Sequence, residues 1–192
     1  MKELFLDQLS IVNYRNLSGI DFSLDRNINC FVGDNGVGKT NALDAIHFLA
    51  MGKSYTNSIS SQNINHDASF SMIEGIFDKH GKSLQIQCHL ERDGKKTIKR
   101  NRKAYKKITD HVGLIPIVVI SPTDIDLISE GSHVRRKFLD RTISQSNKNY
   151  LNNLVTYHRI LQQRNALLKH FSSTNSFDKD TLSTYNLSLI HI

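Results

Sequence analysis

Residues 27–52 read NINCFVGDNGVGKTNALDAIHFLAMG: an apolar run, then a glycine-rich loop, then a helical pattern. Inside this stretch Gly33, Asp34, Asn35, Gly36, Val37, Gly38, Lys39 and Thr40 satisfy G-x-x-x-x-G-K-[ST] at every fixed position. The glycines let the backbone turn tightly, so that successive N–H groups converge on oxyanions. The helix that follows adds the partial positive charge of its N-terminus to the same spot. Lys39 is placed to reach the β- and γ-phosphates of a nucleotide, and the Thr40 hydroxyl to ligate Mg²⁺. The pattern predicts a cradle for ATP with Mg²⁺. A second "GKS" at 52–54 has His47 rather than glycine five positions before it, inside the helix, and is read as chance.

Working outward, ELFLDQLSIVNY and GIDFSLD alternate apolar and polar residues, and INCFVG is a continuous apolar run of the buried-strand type. After the loop, Leu43, Ile46 and Ala50 share one helical face and Ala42, Ala45 and Leu49 another, with Gly52 as the stop. Residues 53–69 are rich in Ser and Asn and predict a mobile loop. Strand patterns resume at FSMIEGIFDKHG and KSLQIQCHLERDG, with a hairpin turn at Asp93 and Gly94. LIPIVVISP predicts a second buried strand closed by Pro122. From there the pattern is helical: GSHVRRKFLDRTISQ with Ser132 as N-cap, then a stripe of Leu151, Leu154, Leu161 and Leu168 about five turns long. The last 20 or so residues show no clear element. The chain is expected to divide into an α/β part over 1–130 and a helical part over 131–192.

Composition sets the class. A chain of 192 residues with 39% hydrophobic and 22% charged content describes a soluble globular protein. No apolar run is long enough to span a membrane, and acids within the first seven residues do not suit a secretory leader, so a cytoplasmic protein without membrane partners is expected. Cys30 and Cys88 sit singly in strand patterns and read as reduced core thiols.

The charge is concentrated. Nine of the 25 bases and one of the 18 acids fall within RDGKKTIKRNRKAYKK, residues 92–107, which leaves 16 bases against 17 acids elsewhere. A near-neutral body with one basic patch implies a polyanionic partner. Lys95, Lys96, Lys99, Arg100, Arg102 and Lys103 are the candidate contacts to DNA phosphates, although alternation along a strand puts only half of them on one face. Tyr105 is the single aromatic among them, too little for a base-stacking platform. The competing reading is an edge strand protected by lysines.

The usual acidic partner of a phosphate loop ends a second buried strand, whereas LIPIVVI here runs into SPTD. Asp124, three residues past the strand pattern, is a weak candidate for a metal ligand and suits a loop or N-cap carboxylate better. No catalytic residue is assigned.

Three stretches together resemble the RecF family of DNA-repair ATPases, whose fold is the ATP-binding-cassette head shared with SMC-type proteins. They are LSIVNYRNLSGIDFSL, GDNGVGKTNALDAIHFLAMGKSY, and ISPTDIDLISEGSHVRRKFLDRTISQ followed by YHRILQQRNALLK, spanning residues 1 to about 170. The third is the most specific. The resemblance implies an α/β P-loop fold, a mixed sheet around the P-loop helix, followed by the start of a helical lobe. It also implies that the signature and second acidic motifs lie beyond residue 192 and that this is the N-terminal half of a longer protein. Arg15 in NYRN is expected near the nucleotide. Lys53 stands where the family pattern leads one to expect an arginine. His47 reads as a packed or surface histidine, while His66 and Asp67 lie in a loop that can approach the nucleotide.

The implied function is ATP-dependent binding of gapped or single-stranded DNA in recombinational repair and replication-fork maintenance, within the SOS response. Two heads would dimerise around ATP, hydrolyse it slowly, and help load the strand-exchange recombinase with RecO and RecR partners. The rival readings are a head of another SMC-like ATPase, a DNA-binding module that does not hydrolyse ATP, and a small-molecule kinase.

Overall fold

In a computed structural model, which describes residues 4–57 and 59–190, the chain forms two compact units, 1–121 and 122–192. The first unit is built on a six-stranded antiparallel sheet with strand order β2-β1-β3-β4-β5-β6. Its strands are β1 (Leu4–Tyr14), β2 (Leu17–Ser23), β3 (Phe70–Lys79), β4 (Lys82–Glu91), β5 (Lys96–Arg100) and β6 (Lys103–Ala104). Period-two burial runs through β3 and β4, as the sequence alternation predicts. Leu9, Ile11, Ile73, Phe77, Leu84, Ile86, Cys88, Leu90 and Ile98 form the buried face. Two-residue turns at His80 and Gly81 and at Asn101 and Arg102, all with positive φ, match the twist of the strands they join.

One helix, α1 (Lys39–Met51), covers the buried face, with Ala42, Ala45, Phe48, Leu49 and Ala50 nearly inaccessible. Each large apolar side chain buried here stabilises the unit by about 1.5–3 kcal/mol. The helix lies close to the sheet because β3 carries Gly75 beneath it: a Cβ there would sit 2.8 Å from Leu49 Cδ1. Gly52, left-handed at φ 66°, stops the helix, and its N–H bonds the Phe48 carbonyl.

The two continuous apolar runs depart from expectation. Residues 28–33 and 114–121 form no strand, and Ile28, Val32, Val118 and Ile120 are 79–90% exposed. Such runs are strands only when neighbours pair their backbone and both faces are covered. Neither run has such a neighbour among the described residues. The mixed sheet is accordingly replaced by an antiparallel one. Cys30, expected in the core, is exposed for the same reason, whereas Cys88 is buried in β4 and burial pushes its thiol up to about 12.

The Ser- and Asn-rich segment after α1 is braced rather than open. A 3₁₀ turn at Ser60–Asn63 and a bridge between Ile64 and Tyr14 dock it on the β1–β2 turn. At its centre is Asp44 of α1, 3% exposed. Its carboxylate accepts bonds from Tyr14 Oη at 2.6 Å, Ser54 Oγ at 2.8 Å and the Tyr55 N–H at 2.6 Å, and pairs with Arg15 Nη2 at 2.9 Å. Burial, followed by the Asp44 carboxylate, pushes the Tyr14 phenol far above its ordinary range, so it stays a donor.

On the opposite side of α1, His111 is fully buried. Its Nε2 lies 2.6 Å from the Leu49 carbonyl and its ring packs on Tyr105 at 5.2 Å. The Leu49 contact assigns the proton to Nε2. Desolvation first, and the nearby Arg100 charge last, hold His111 below its ordinary value against the pull of the Leu49 carbonyl.

The second unit is helical: α2 (Asp126–Ser129), α3 (Ser132–Ser146), α4 (Lys148–Thr174) and α5 (Lys179–Ile190). Gly131, not Ser132, occupies the N-cap position of α3, and no side chain caps it. Helix α4 is capped by Asn147, whose Oδ1 accepts from the Tyr150 N–H, and ends at Asn175 in a left-handed conformation. The terminal region, expected to lack an element, forms α5. Asp178 caps it by accepting from the Asp180 and Thr181 N–H groups, and Arg164 of α4 bonds Asn186 of α5 at 2.7 Å. The last two residues lie outside the described residues.

Two outcomes test this description. Replacing Asp44 by alanine strands a half-buried guanidinium and three donors and should destabilise the first unit by about 3 kcal/mol, with Asp44→Asn intermediate. A urea unfolding free energy that falls by less than about 1 kcal/mol at unchanged slope contradicts it. For His111 the folded-state value lies below that of the unfolded chain, so the unfolded state takes up the proton first as pH falls. Its contribution is intact above about pH 6.5 and lost progressively below. The thermal midpoint should therefore fall from pH 7 to pH 5, and His111→Gln should flatten that fall; parallel curves for the two proteins would refute the assignment.

Candidate functional site

The glycine-rich loop leads from residue 33 directly into α1. Gly33, Gly36 and Gly38 all have positive φ, at 150°, 88° and 106°. Gly38 is the N-cap of α1, and a Cβ there would sit 2.5 Å from Leu17 Cδ2 and 2.9 Å from Asn16 Oδ1, so only glycine fits. Lys39 Nζ folds over the loop and donates to the carbonyls of Gly33 at 2.8 Å and Asp34 at 2.6 Å. Asp34, Asn35, Val37 and Thr40 are exposed around it. A concave, glycine-framed backbone with a lysine across its mouth at a helix N-terminus fits a polyphosphate, and the Thr40 hydroxyl on the first turn fits a metal that accompanies it. Among the described residues no cluster of three or more His, Cys, Asp or Glu forms a metal site.

A relay of side chains ties this loop to the rest of the unit. Asn16 Nδ2 donates to the Gly36 carbonyl at 2.6 Å, and Asn41 Nδ2 donates to Asn16 Oδ1 at 2.7 Å. Arg15 Nη1 in turn donates to Asn41 Oδ1 at 2.9 Å. The Arg15 guanidinium also reaches Asn63 Oδ1, Ser54 Oγ, Thr56 Oγ1 and Asp44. Arg15 is itself left-handed at φ 53°, a conformation that is unfavourable for a side chain of its size and is held here by these bonds.

Beside the relay opens a cavity of about 720 Å³ lined by Arg15, Asn16, Asn41, Asn65, His66 and Asp67, among others. The structure thus brings Arg15, His66 and Asp67 to one concavity that adjoins the glycine-rich loop through Asn16. Asn16, Asn41, Asn63, Asp44 and Ser54 belong to the same assembly and were not singled out by sequence reasoning. A signal was present for two of them only, as the asparagines that follow Arg15 in NYRN and Thr40 in GKTN. His47 is buried, its Nδ1 2.9 Å from the Lys53 carbonyl and its ring edge-on to Tyr55, outside the cavity lining.

The basic hairpin spans the β4–β5 and β5–β6 turns, and its cations part company. Lys96 turns inward: Nζ donates to the Gly52 carbonyl at 2.8 Å at the C-terminal end of α1 and lies 5.9 Å from the Phe48 ring centroid. Burial lowers its amine below the ordinary lysine value. Lys99 and Arg102 instead line a cleft of about 310 Å³ with Gln85 and Gln87, whose amides are oriented by Glu74 of β3 at 3.1 and 2.9 Å. Lys95, Arg100 and Lys103 are exposed. Asp124 lies in the helical turn Pro122–Ile125 of the second unit.

The family model described as AAA domain matches residues 8–188. The chain is 52% identical over 186 residues to the DNA replication and repair protein RecF of Flavobacterium johnsoniae, covering 97% of this chain and 52% of that protein. It is 45% identical over 180 residues to the protein of the same name from Phocaeicola vulgatus, covering 93% and 48%. The chain therefore spans about half the length of the curated relatives it matches. A solved structure of the recombination mediator protein RecF-ATPrS in the RecFOR pathway superposes with TM-score 0.91 at 31% identity, covering 98% of this chain and 51% of the other. A structure from work on SMC ATPases superposes with TM-score 0.59 at 20% identity over 72% of the chain, a likeness of fold. No helix among the described residues is long and apolar enough to cross a membrane. With a P-loop head fold and these matches across nearly its whole length, the chain belongs to the AAA-domain family and, within it, to the RecF group.

Proposed function

We propose that this chain is the nucleotide-gripping part of an ATP-dependent DNA-binding protein of recombinational repair and replication-fork maintenance. The observation that carries the proposal is the glycine-framed loop whose lysine and asparagine contacts join it to the Arg15 cavity. Binding of ATP requires Lys39 Nζ to exchange the Gly33 and Asp34 carbonyls for phosphate oxygens. The N–H groups of residues 34–40 hold the remaining charge, and Asn16, fixed by Asn41, keeps the loop open. Thr40 is the residue on the loop that would hold Mg²⁺, which supplies charge neutralisation between the phosphates. The base end would occupy the cavity of Arg15, His66 and Asp67.

The RecF names of the relatives support a repair role, and from them follow the finer expectations. These are an ATP-dependent homodimer, slow DNA-stimulated hydrolysis that resets the dimer, partnership with RecO- and RecR-type mediators in recombinase loading, and a place in the cytoplasm and the SOS response. An SMC-type head is the less favoured reading. Helix α4 stops at Asn175 and the chain returns on it as α5, where an SMC head would extend a coiled coil.

The DNA surface is proposed on the outward side of the hairpin, where Lys95, Lys99, Arg100, Arg102 and Lys103 remain available. Contacts there go to backbone phosphates and are indifferent to base sequence.

Two measurements follow. In a fluorescence titration with gapped duplex, Mg-ATP should strengthen binding. Lys39→Ala should abolish that gain while weakening ATP itself by roughly tenfold or more; DNA binding that ignores both nucleotide and Lys39 would refute the reading. Replacing Lys99 and Arg102 together should reduce the slope of log affinity against log salt by about 1–2, whereas Lys96→Ala should leave the slope unchanged. Equal slopes for all three proteins would move the DNA surface elsewhere.

A further inference from the structure

The cavity beside the phosphate loop has two walls of different origin. Arg15 and Asn16 come from the β1–β2 turn and Asn41 from α1, all locked in the side-chain relay. Asn65, His66 and Asp67 come from the segment 64–69, which reaches the cavity as bare loop. On one side this segment is fastened to the β1–β2 turn through the Asn65 N–H to the Asn13 carbonyl at 2.9 Å and through the Ile64–Tyr14 bridge. On the other side it is gripped by one residue. Arg92 Nε donates to the Ala68 carbonyl at 2.6 Å, and Arg92 Nη2 donates to the carbonyls of Asn65, at 2.8 Å, and His66. The Arg92 N–H also bonds the Ser69 carbonyl at 3.1 Å.

Three carbonyls converging on one planar guanidinium fix the path of residues 65–68, and so the positions from which His66 and Asp67 face the cavity. A lysine carries a compact charge and lacks the planar fork that meets these carbonyls from two nitrogens. The rest of the segment offers less: the Ala68 N–H to Asn65 carbonyl bond and the Asp67 N–H to Asn65 Oδ1 bond are internal to the loop and do not anchor it to the sheet.

We propose that Arg92 is the positioning residue for the base-side wall of the nucleotide site. Arg92 does not line the cavity; it acts through the backbone of residues 65–68. It is also the first base of the basic hairpin, on the turn between β4 and β5. The base-side wall is therefore fastened to the element proposed to meet DNA, and strain in that turn is delivered to the nucleotide site through the Arg92 hydrogen bonds.

This inference rests on the reading of the cavity as the base end of an ATP site, and a pair of probes separates the two. Inorganic tripolyphosphate reaches the phosphate loop alone, whereas ATP engages the cavity as well. Binding of each is measured by calorimetry with Mg²⁺ for the wild-type chain, Arg92→Ala and Arg92→Lys, with the thermal midpoint recorded alongside. The expected result is that Arg92→Ala weakens ATP by about tenfold, the loss of a charge-assisted bond set, leaves tripolyphosphate within twofold, and is restored only in part by Arg92→Lys. Equal losses for both probes would make Arg92 a residue of general stability, and no loss for either would free the wall from its control; each result overturns the proposal. If the wild-type chain binds ATP no better than tripolyphosphate, the base-site reading itself fails and the inference falls with it.

Discussion

The first unit depends on one buried carboxylate. Asp44 emerges from the second turn of α1, 3% exposed, and meets a phenol, a hydroxyl, a backbone N–H and a guanidinium. An isolated charge in that position is prohibitively costly, and the structure offsets the desolvation by surrounding it with donors. Because those donors come from β1, from the β1–β2 turn and from the segment after α1, satisfying one carboxylate fixes three stretches of chain at once. The Arg15 guanidinium is left with directions to spare and spends them on Asn63, Thr56 and Asn41. Through Asn41 and Asn16 the order then propagates to Gly36 in the phosphate loop. A glycine-rich loop, which alone would sample many backbone states, is thereby tied to a core position four polar contacts away.

That arrangement explains why the glycine-rich turn into α1 was legible in the sequence and its support was not. The glycines, Lys39 and Thr40 act through local backbone geometry, and local geometry is written at fixed spacing. Period-two alternation in β3 and β4 is local in the same sense. The Asp44 network joins residues 10 to 30 positions apart, so no spacing rule predicts it, and Asp44 inside an amphipathic helix reads as a surface acid. The loop 53–69 was misjudged for a related reason. Ser and Asn lower apolar content, which suggests mobility, yet the same groups bond one another and the neighbouring turn, as Ser54, Asn57 and Asn63 do.

The apolar runs at 28–33 and 114–121 show the opposite failure. Their composition is that of central strands, and composition cannot supply the neighbour that makes a strand. Helix α5 failed in a third way: its apolar periodicity is weak, and it is held by the Asp178 cap and the Arg164–Asn186 bond instead. The basic hairpin was read as a cluster of which alternation puts only half on one face, and the strand divides it in that way. Strand alternation sends Lys96 inward to the end of α1 and leaves Lys99 on the Gln85 and Gln87 side.

Taken with the head fold, this distribution of contacts gives the two proposed ligand surfaces a common frame. The phosphate loop, the Arg15 relay and the base-side wall all hang from α1 and from the turns at one end of the antiparallel sheet. The basic hairpin extends that sheet from β4, the strand that also carries Leu84, Ile86, Cys88 and Leu90 into the core under α1. Lys96 adds a second tie, since its amine closes the C-terminal end of the same helix whose N-terminus opens the phosphate loop. A rigid thirteen-residue helix bonded at both ends cannot shift at one without disturbing the other. Communication between a polyanion on the hairpin and a polyphosphate at the loop therefore needs no large rearrangement, only a change in how α1 and the segment 64–69 are held between them.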